Sequence, residues 1–211
     1  TKHKTQVVVF RIKLSSAFRG HLGQICSVVF LTNMYIATVS IFQNRYLKDE
    51  RGFSAALVAL FTIATSSPAA LGLILGGHIA DEKGRRIIGA TLVPIGAFLL
   101  ALSFSTSGAT MWLFAIAGGL AFGISYPALA VYRGELFPTG SRGMAGGIIM
   151  TSALFGGIVG LVGAGLVLDS GLSYGTVMLC LVTGPVIASL IVWFRYPETA
   201  HLDLDEISHD L

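Results

Sequence analysis

Charge is what this sequence has least of. Only 12% of its 211 residues are Asp, Glu, Lys or Arg, against about 25% in a soluble domain, so half the usual solvated surface is missing. Cysteine is nearly missing as well. Cys26 and Cys180 both fall within apolar runs, where they act as small apolar side chains. Neither their number nor their position suits a disulfide framework or a metal site. No H-E-x-x-H, Ser/His pair or pair of carboxylates lies within an apolar run, which argues against an intramembrane enzyme. His21 and His78 sit at the edges of such runs. There is thus no catalytic residue, metal ligand or cofactor motif to name. The opening residues also lack the n-, h- and c-region order of a signal peptide. With Thr in first place, the chain reads as a piece of something longer.

What fills the sequence instead is hydrocarbon. Apolar residues make up 54% of the chain, mean hydropathy is +0.77, and a bilayer-spanning helix needs roughly 20 such residues in a row. Six runs qualify, at about 22–42, 54–79, 87–105, 109–132, 143–168 and 175–194. A soluble helical core would show charged stripes at helical spacing, and these runs have none. The expectation is an all-α membrane protein with one bundle of six transmembrane helices over 21–196. Residues 1–20 read as a basic cytoplasmic arm and 197–211 as an acidic cytoplasmic tail.

The net charge of +3 and a pI near 9.0 do not mark a nucleic-acid partner, because the basic residues are sorted by side. With the N-terminus in the cytoplasm, Lys2, Lys4, Arg11, Lys13, Arg19, Lys83, Arg85, Arg86, Arg133, Arg142 and Arg195 lie inside. Only Arg45, Lys48 and Arg51 lie outside. The opposite orientation would defy the positive-inside rule. Both termini are therefore expected in the cytoplasm.

Glycine is abundant, and Gly119/Gly123, Gly143/Gly147 and Gly156/Gly160 form G-x-x-x-G pairs that let helix backbones approach closely in lipid. Gly77-x-x-x-Asp81 closes the second run and Gly165-x-x-x-Asp169 the fifth, each followed by another glycine, Gly84 or Gly171. Such an echo, on opposite sides of the membrane, is what an inverted repeat of three helices leaves behind.

Three motifs stand at the inner helix ends. Gly77-His-Ile-Ala-Asp81-Glu-Lys-Gly84-Arg85-Arg86 resembles the signature G-x-x-x-D-[RK]-x-G-R-[RK] of the major facilitator superfamily, with Glu82 departing from the usual cation. Glu135-Leu-Phe-Pro138-Thr-Gly-Ser-Arg142 has the E-x(6)-R spacing that follows the tenth helix of sugar-porter-like carriers, and Pro197-Glu198-Thr199 resembles their closing P-E-T. The resemblance implies the C-terminal six helices of a twelve-helix fold with a 3+3 inverted repeat. It further implies proton-coupled secondary transport of a small organic solute by alternating access, in the cell membrane. The partners implied are the solute, the lipid bilayer, and a missing N-terminal half or a second copy of the chain.

By the same resemblance, Gly77, Asp81, Gly84, Arg85, Arg86, Glu135, Arg142 and Glu198 form a cytoplasmic gate. Arg85 or Arg86 would pair with Glu135, Glu198 with Arg142 or a neighbouring Arg, and Asp81 with the opposite half. Asn33, Tyr35, Thr65 and Tyr126 are the candidate solute contacts, the alternative for the first two and Tyr126 being helix-to-helix hydrogen bonds. For the Ser and Thr residues the alternative is a bond back to a carbonyl one turn earlier. No ion lies deep in a run, so a proton site would belong to the other half. The first run reads Gln24-Ile-Cys-Ser-Val-Val-Phe where sugar carriers have Q-Q-x-x-G-x-N, which does not support hexose. A channel-like or non-transporting six-helix adaptor shares the hydropathy but predicts none of the three motifs.

Overall fold

The computed structural model describes residues 16–137, 140–198 and 200. The candidate arm up to residue 15, Pro138, Thr199 and the tail 201–211 lie outside the described residues.

Hydrocarbon leaves a backbone N–H no partner but its own helix, and every apolar run is accordingly helical. The elements are α1 (Ser16–Asp49), α2 (Ala55–Lys83), α3 (Arg85–Ser103), α4 (Gly108–Ala130), α5 (Tyr132–Glu135), α6 (Arg142–Asp169), α7 (Tyr174–Leu181) and α8 (Thr183–Arg195). Six spans result, with α4 and α5 joined in one and α7 and α8 in another. The break at Val182 has a simple cause. Pro185 carries no N–H, so the carbonyl of Leu181 loses its partner one turn on. Helix α1 begins inside the segment read as an arm and runs seven residues past its apolar run, carrying Gln43 and Asn44 with it.

The helices pack as two interleaved triplets. Helix α2 lies chiefly on α4, and α6 on α1; α3 lies on α4, and α8 on α1, with α3 and α8 in mutual contact. Exchanging the first three spans for the last three maps this pattern onto itself, as an inverted repeat requires. The closest approaches obey the same exchange. At Gly76 a Cβ would collide with the Ile124 backbone and at Gly123 with that of Ala69; at Gly156 and Gly160 it would collide with Phe30 and Met34. A Cβ at Gly143 or Gly147 would meet nothing within 4 Å, so that third pair packs no helix among the described residues.

One core cluster gathers Tyr35, Phe42, Tyr46, Phe61, Phe104, Met111 and Met178 toward the Asp49 end of the bundle. A second gathers Phe18, Ile25, Tyr132, Phe137, Ile149 and Tyr196 toward the Arg85 end. At the Asp49 end, Arg51 donates from Nε to the Tyr46 hydroxyl at 2.7 Å and from Nη2 to the Thr106 carbonyl at 2.5 Å. This ties the α1–α2 connection to the one between α3 and α4.

Candidate functional site: a charged clasp beside an open groove

The clasp begins with a turn of one residue. Helix α2 runs to Lys83 and α3 starts at Arg85, so Gly84 alone reverses the chain, with φ at +99°. That backbone strongly favours glycine, and a Cβ there would also stand 2.8 Å from Glu198 Oε2. So sharp a turn leaves α3 with no side-chain cap of its own, and its first N–H groups need an acceptor. Glu198 supplies it from the far end of the chain. Its Oε1 accepts from the Arg85 N–H at 2.8 Å and its Oε2 from the Arg86 N–H at 3.2 Å. A carboxylate at a helix N-terminus is also favoured by the helix dipole. Tyr132 holds this segment in place, donating its hydroxyl to the Pro197 carbonyl at 2.9 Å and meeting Tyr196 edge-on. Replacing Glu198 by Ala is expected to lower stability by about 1 kcal/mol, read from the midpoint of thermal unfolding in detergent. Glu198→Gln, which keeps an acceptor, should lose less.

Around that cap the ions assemble. Arg85 donates to Asp81 Oδ1 from Nη2 at 2.9 Å and from Nε at 3.1 Å, and its Nη1 donates to Glu135 Oε1. Glu135, on the single turn of α5, and Arg85 are both largely buried, whereas Asp81 is exposed. Arg86 sets its guanidinium 6.0 Å over the Trp193 ring. Glu82, the residue out of pattern, pairs with His78 at 3.3 Å on the exposed side of α2.

Three expectations are corrected by this geometry. Glu198, expected to pair with Arg142 or a neighbouring Arg, meets Arg85 and Arg86 through their main-chain N–H groups and not their guanidinium groups, while Arg142 is exposed and reaches the Phe137 carbonyl at 3.4 Å. Asp81 finds its cation in Arg85, one turn away on the adjoining helix. Gly77 meets nothing within 4 Å, and the close helix contact is made by Gly76. The clasp therefore joins the ends of α2, α3, α5 and α8 within one chain.

Beside it lies an open groove of about 660 Å³ between α1, α2 and α4, whose polar lining is Ser40, Gln43, Asn44, Thr62, Thr65, Ser66 and Tyr126. A smaller cavity of about 210 Å³ adjoins it toward the clasp, sharing Ile36, Phe122 and Tyr126 and adding Asn33, Thr32 and Arg133. Asn33 and Tyr126 thus line cavities, and Tyr126 is exposed there. Thr65 lines the groove too, though its hydroxyl bonds back to the Phe61 carbonyl at 2.9 Å. Tyr35 is placed otherwise. It is fully buried, donates to the Ala97 carbonyl at 2.6 Å and stacks on Phe122, so it binds α1 to α3 and does not line either cavity. Thr62, Ser67 and Thr151 bond back one turn. Ser152 instead reaches across to the Cys26 carbonyl of α1 at 3.0 Å.

Sequence reasoning passed over Gln43, Asn44 and Arg133 as site residues. The first two stood just past the apolar run, and Arg133 was counted only as a marker of orientation. Tyr132, the anchor of the Glu198 segment, carried no signal beyond being a tyrosine at a helix end. Among the described residues no group of His, Cys, Asp and Glu could hold a metal ion.

A six-helix bundle with inverted-repeat packing, a charged clasp at one end and an open groove set with polar side chains along one face is the architecture of half a membrane carrier. The chain belongs to the Major Facilitator Superfamily, whose profile matches residues 25–208. Its fold is similar to that of the inward-open xylose transporter XylE from E. coli, with a TM-score of 0.64 at 18% identity, covering 92% of this chain and 56% of that one. In sequence it is 29% identical over 143 residues to the fosmidomycin resistance protein of Escherichia coli, covering 67% of this chain and 35% of that protein. It is 33% identical over 101 residues to the cis,cis-muconate transport protein of Acinetobacter baylyi, covering 47% and 24%. It is 36% identical over 103 residues to human solute carrier family 22 member 11, covering 47% and 18%. The chain thus spans only part of the length of these relatives. The family is one of transporters, not enzymes.

Proposed function

We propose that this chain forms one half of a secondary transporter that carries a small organic solute, metabolite or drug-like, across the cell membrane by alternating access, coupled to protons. The observation that carries the reading is the open groove of about 660 Å³, a mostly apolar wall set with Ser, Thr, Gln, Asn and Tyr side chains, on a chain of this family. Polar side chains facing lipid are costly, and a second six-helix half laid over the groove would give them water and solute instead. That half comes from the same longer chain or from a second copy. Positive charge gathered at the Arg85 end supports a cytoplasmic position for that end and for both termini.

In this scheme Asn33, Thr65 and Tyr126 meet the solute. The clasp is the cytoplasmic gate, divided between two tasks. Gly84, Arg85, Glu135 and Glu198 hold four helix ends of this half together. Arg142, which is exposed, presents charge to the opposing half, Asp81 stays with Arg85, and Gly77 and Arg86 complete the gate. Such exposed pairs are each worth about 0–1 kcal/mol, enough in number to bias a rocking equilibrium balanced within a few kcal/mol.

The test is uptake of a panel of radiolabelled organic acids, bases and neutral solutes into proteoliposomes holding the whole carrier under an imposed proton gradient. The expected result is accumulation above the external concentration, abolished by collapsing the gradient and cut about tenfold or more by Asn33→Ala or Tyr126→Ala. Uptake that stops at the external concentration, and ignores both substitutions, would overturn the reading.

A further inference from the structure

Arg133 is the one cation that lines either the groove or the smaller cavity beside it, and the clasp does not use it. It stands on α5 between two residues that are already committed. Tyr132 is turned to the Pro197 carbonyl and Glu135 to Arg85. Arg133 itself lines the cavity of about 210 Å³, together with Thr32, Asn33, Ser125, Tyr126 and Tyr196. The remaining walls are aliphatic or Phe122, and no Asp or Glu is among them.

The polar groups of this cavity are short of acceptors. Arg133 can only donate, as a planar fork suited to two oxygens on one centre. The Thr32 hydroxyl, in the wall, is buried without a partner among the described residues. Asn33 adds an amide with two donors. Ser125 is satisfied already, by the Phe122 carbonyl at 2.9 Å. A ligand group that only accepts, and carries negative charge, would satisfy the fork and the amide together.

We propose that Arg133 anchors the carboxylate of the solute, so that the carrier's substrates are organic acids whose apolar bodies extend past Phe122 and Tyr126 into the larger groove. This rests on the transport reading and narrows it to one substrate class. The shared wall of Ile36, Phe122 and Tyr126 makes the small cavity the inner end of the solute path, where a charged head would meet the cation last before the cytoplasm.

The experiment is equilibrium binding of radiolabelled benzoate to the purified whole carrier in detergent, with adipate, benzamide and benzyl alcohol as competitors. Adipate should compete, and the two neutral analogues should be weaker than benzoate by about 10- to 100-fold. Arg133→Gln should weaken benzoate by a similar factor, Arg133→Lys by less, and Arg45→Gln, at the opposite end, should change nothing. Thermal unfolding of each variant confirms that it is folded. Benzamide competing as well as adipate, a folded Arg133→Gln variant binding benzoate normally, or no acid binding at all would each overturn the assignment. The two readings fail separately. Neutral solutes accumulated in proteoliposomes without acid binding would sink the anion site and leave transport standing. Arg133-dependent binding with no accumulation would do the reverse.

Discussion

Replacing Arg85 with Gln is expected to be among the most damaging single changes in this chain. The Glu135 side chain is 11% exposed and that of Arg85 17%, and Glu135 Oε2 has no partner of its own among the described residues. Removing the guanidinium strands that carboxylate. Breaking a buried pair from one side costs about 3–5 kcal/mol, far more than an exposed pair is worth. Because Arg85 also holds Asp81, and because Glu135 fixes the turn that presents both Tyr132 and Arg133, the damage should spread from α3 to the ends of α2 and α4. The double variant Arg85→Gln with Glu135→Gln leaves no stranded charge and should regain most of the loss. Thermal unfolding of the wild type, both single variants and the double one gives the coupling directly. Purely additive losses would mean the pair contributes nothing. The charge swap, Arg85→Glu with Glu135→Arg, asks the same of transport: it should work better than either single reversal.

A comparable loss is expected from Gly160→Leu, by a different route. The added Cβ would run into the Met34 carbonyl and would lie 2.7 Å from the Thr38 hydroxyl. Overpacking costs about 1–3 kcal/mol where side chains can shift and more where they cannot, and here the obstacle is backbone. Helix α6 must move off α1 as a body, and since α1 also carries α8, the repeat would come apart on that side. Gly163→Leu is the matched control, because a Cβ there meets nothing within 4 Å. Size-exclusion profiles and unfolding midpoints should separate the two variants clearly. Equal behaviour would show that α1 and α6 are not in backbone contact.

The contrast between Gly160 and Gly163 also shows where sequence reading stops. Both glycines belong to the same rich helix, and nothing in the letters says which one faces α1. Likewise the motif begins at Gly77, yet Gly76 makes the contact. One residue is about 100° around a helix, enough to turn a packing position toward open space. What was legible was whatever lipid enforces. Charge cannot stay in hydrocarbon, so Asp81, Arg85, Glu135 and Glu198 were bound to mark helix ends, and six apolar runs were bound to be six spans. Partners were less legible. Glu198 was matched with a cation because charges are visible in a sequence, whereas the uncapped N–H groups of α3 are not. Tyr35 and Tyr126 are the same residue in neighbouring polar stretches, yet one is locked to Ala97 and the other lines the groove.

The account rests on the face bearing Tyr126 being a solute path and not a lipid contact. The direct measurement is labelling of a cysteine placed at position 126 of the whole carrier, with Cys26 and Cys180 replaced by Ala, using a membrane-impermeant maleimide from each side of sealed vesicles. The account predicts labelling from both sides, as the carrier alternates, and protection by any solute that it transports. A residue that reacts from neither side, and that no solute protects, would place Tyr126 in lipid and contradict it.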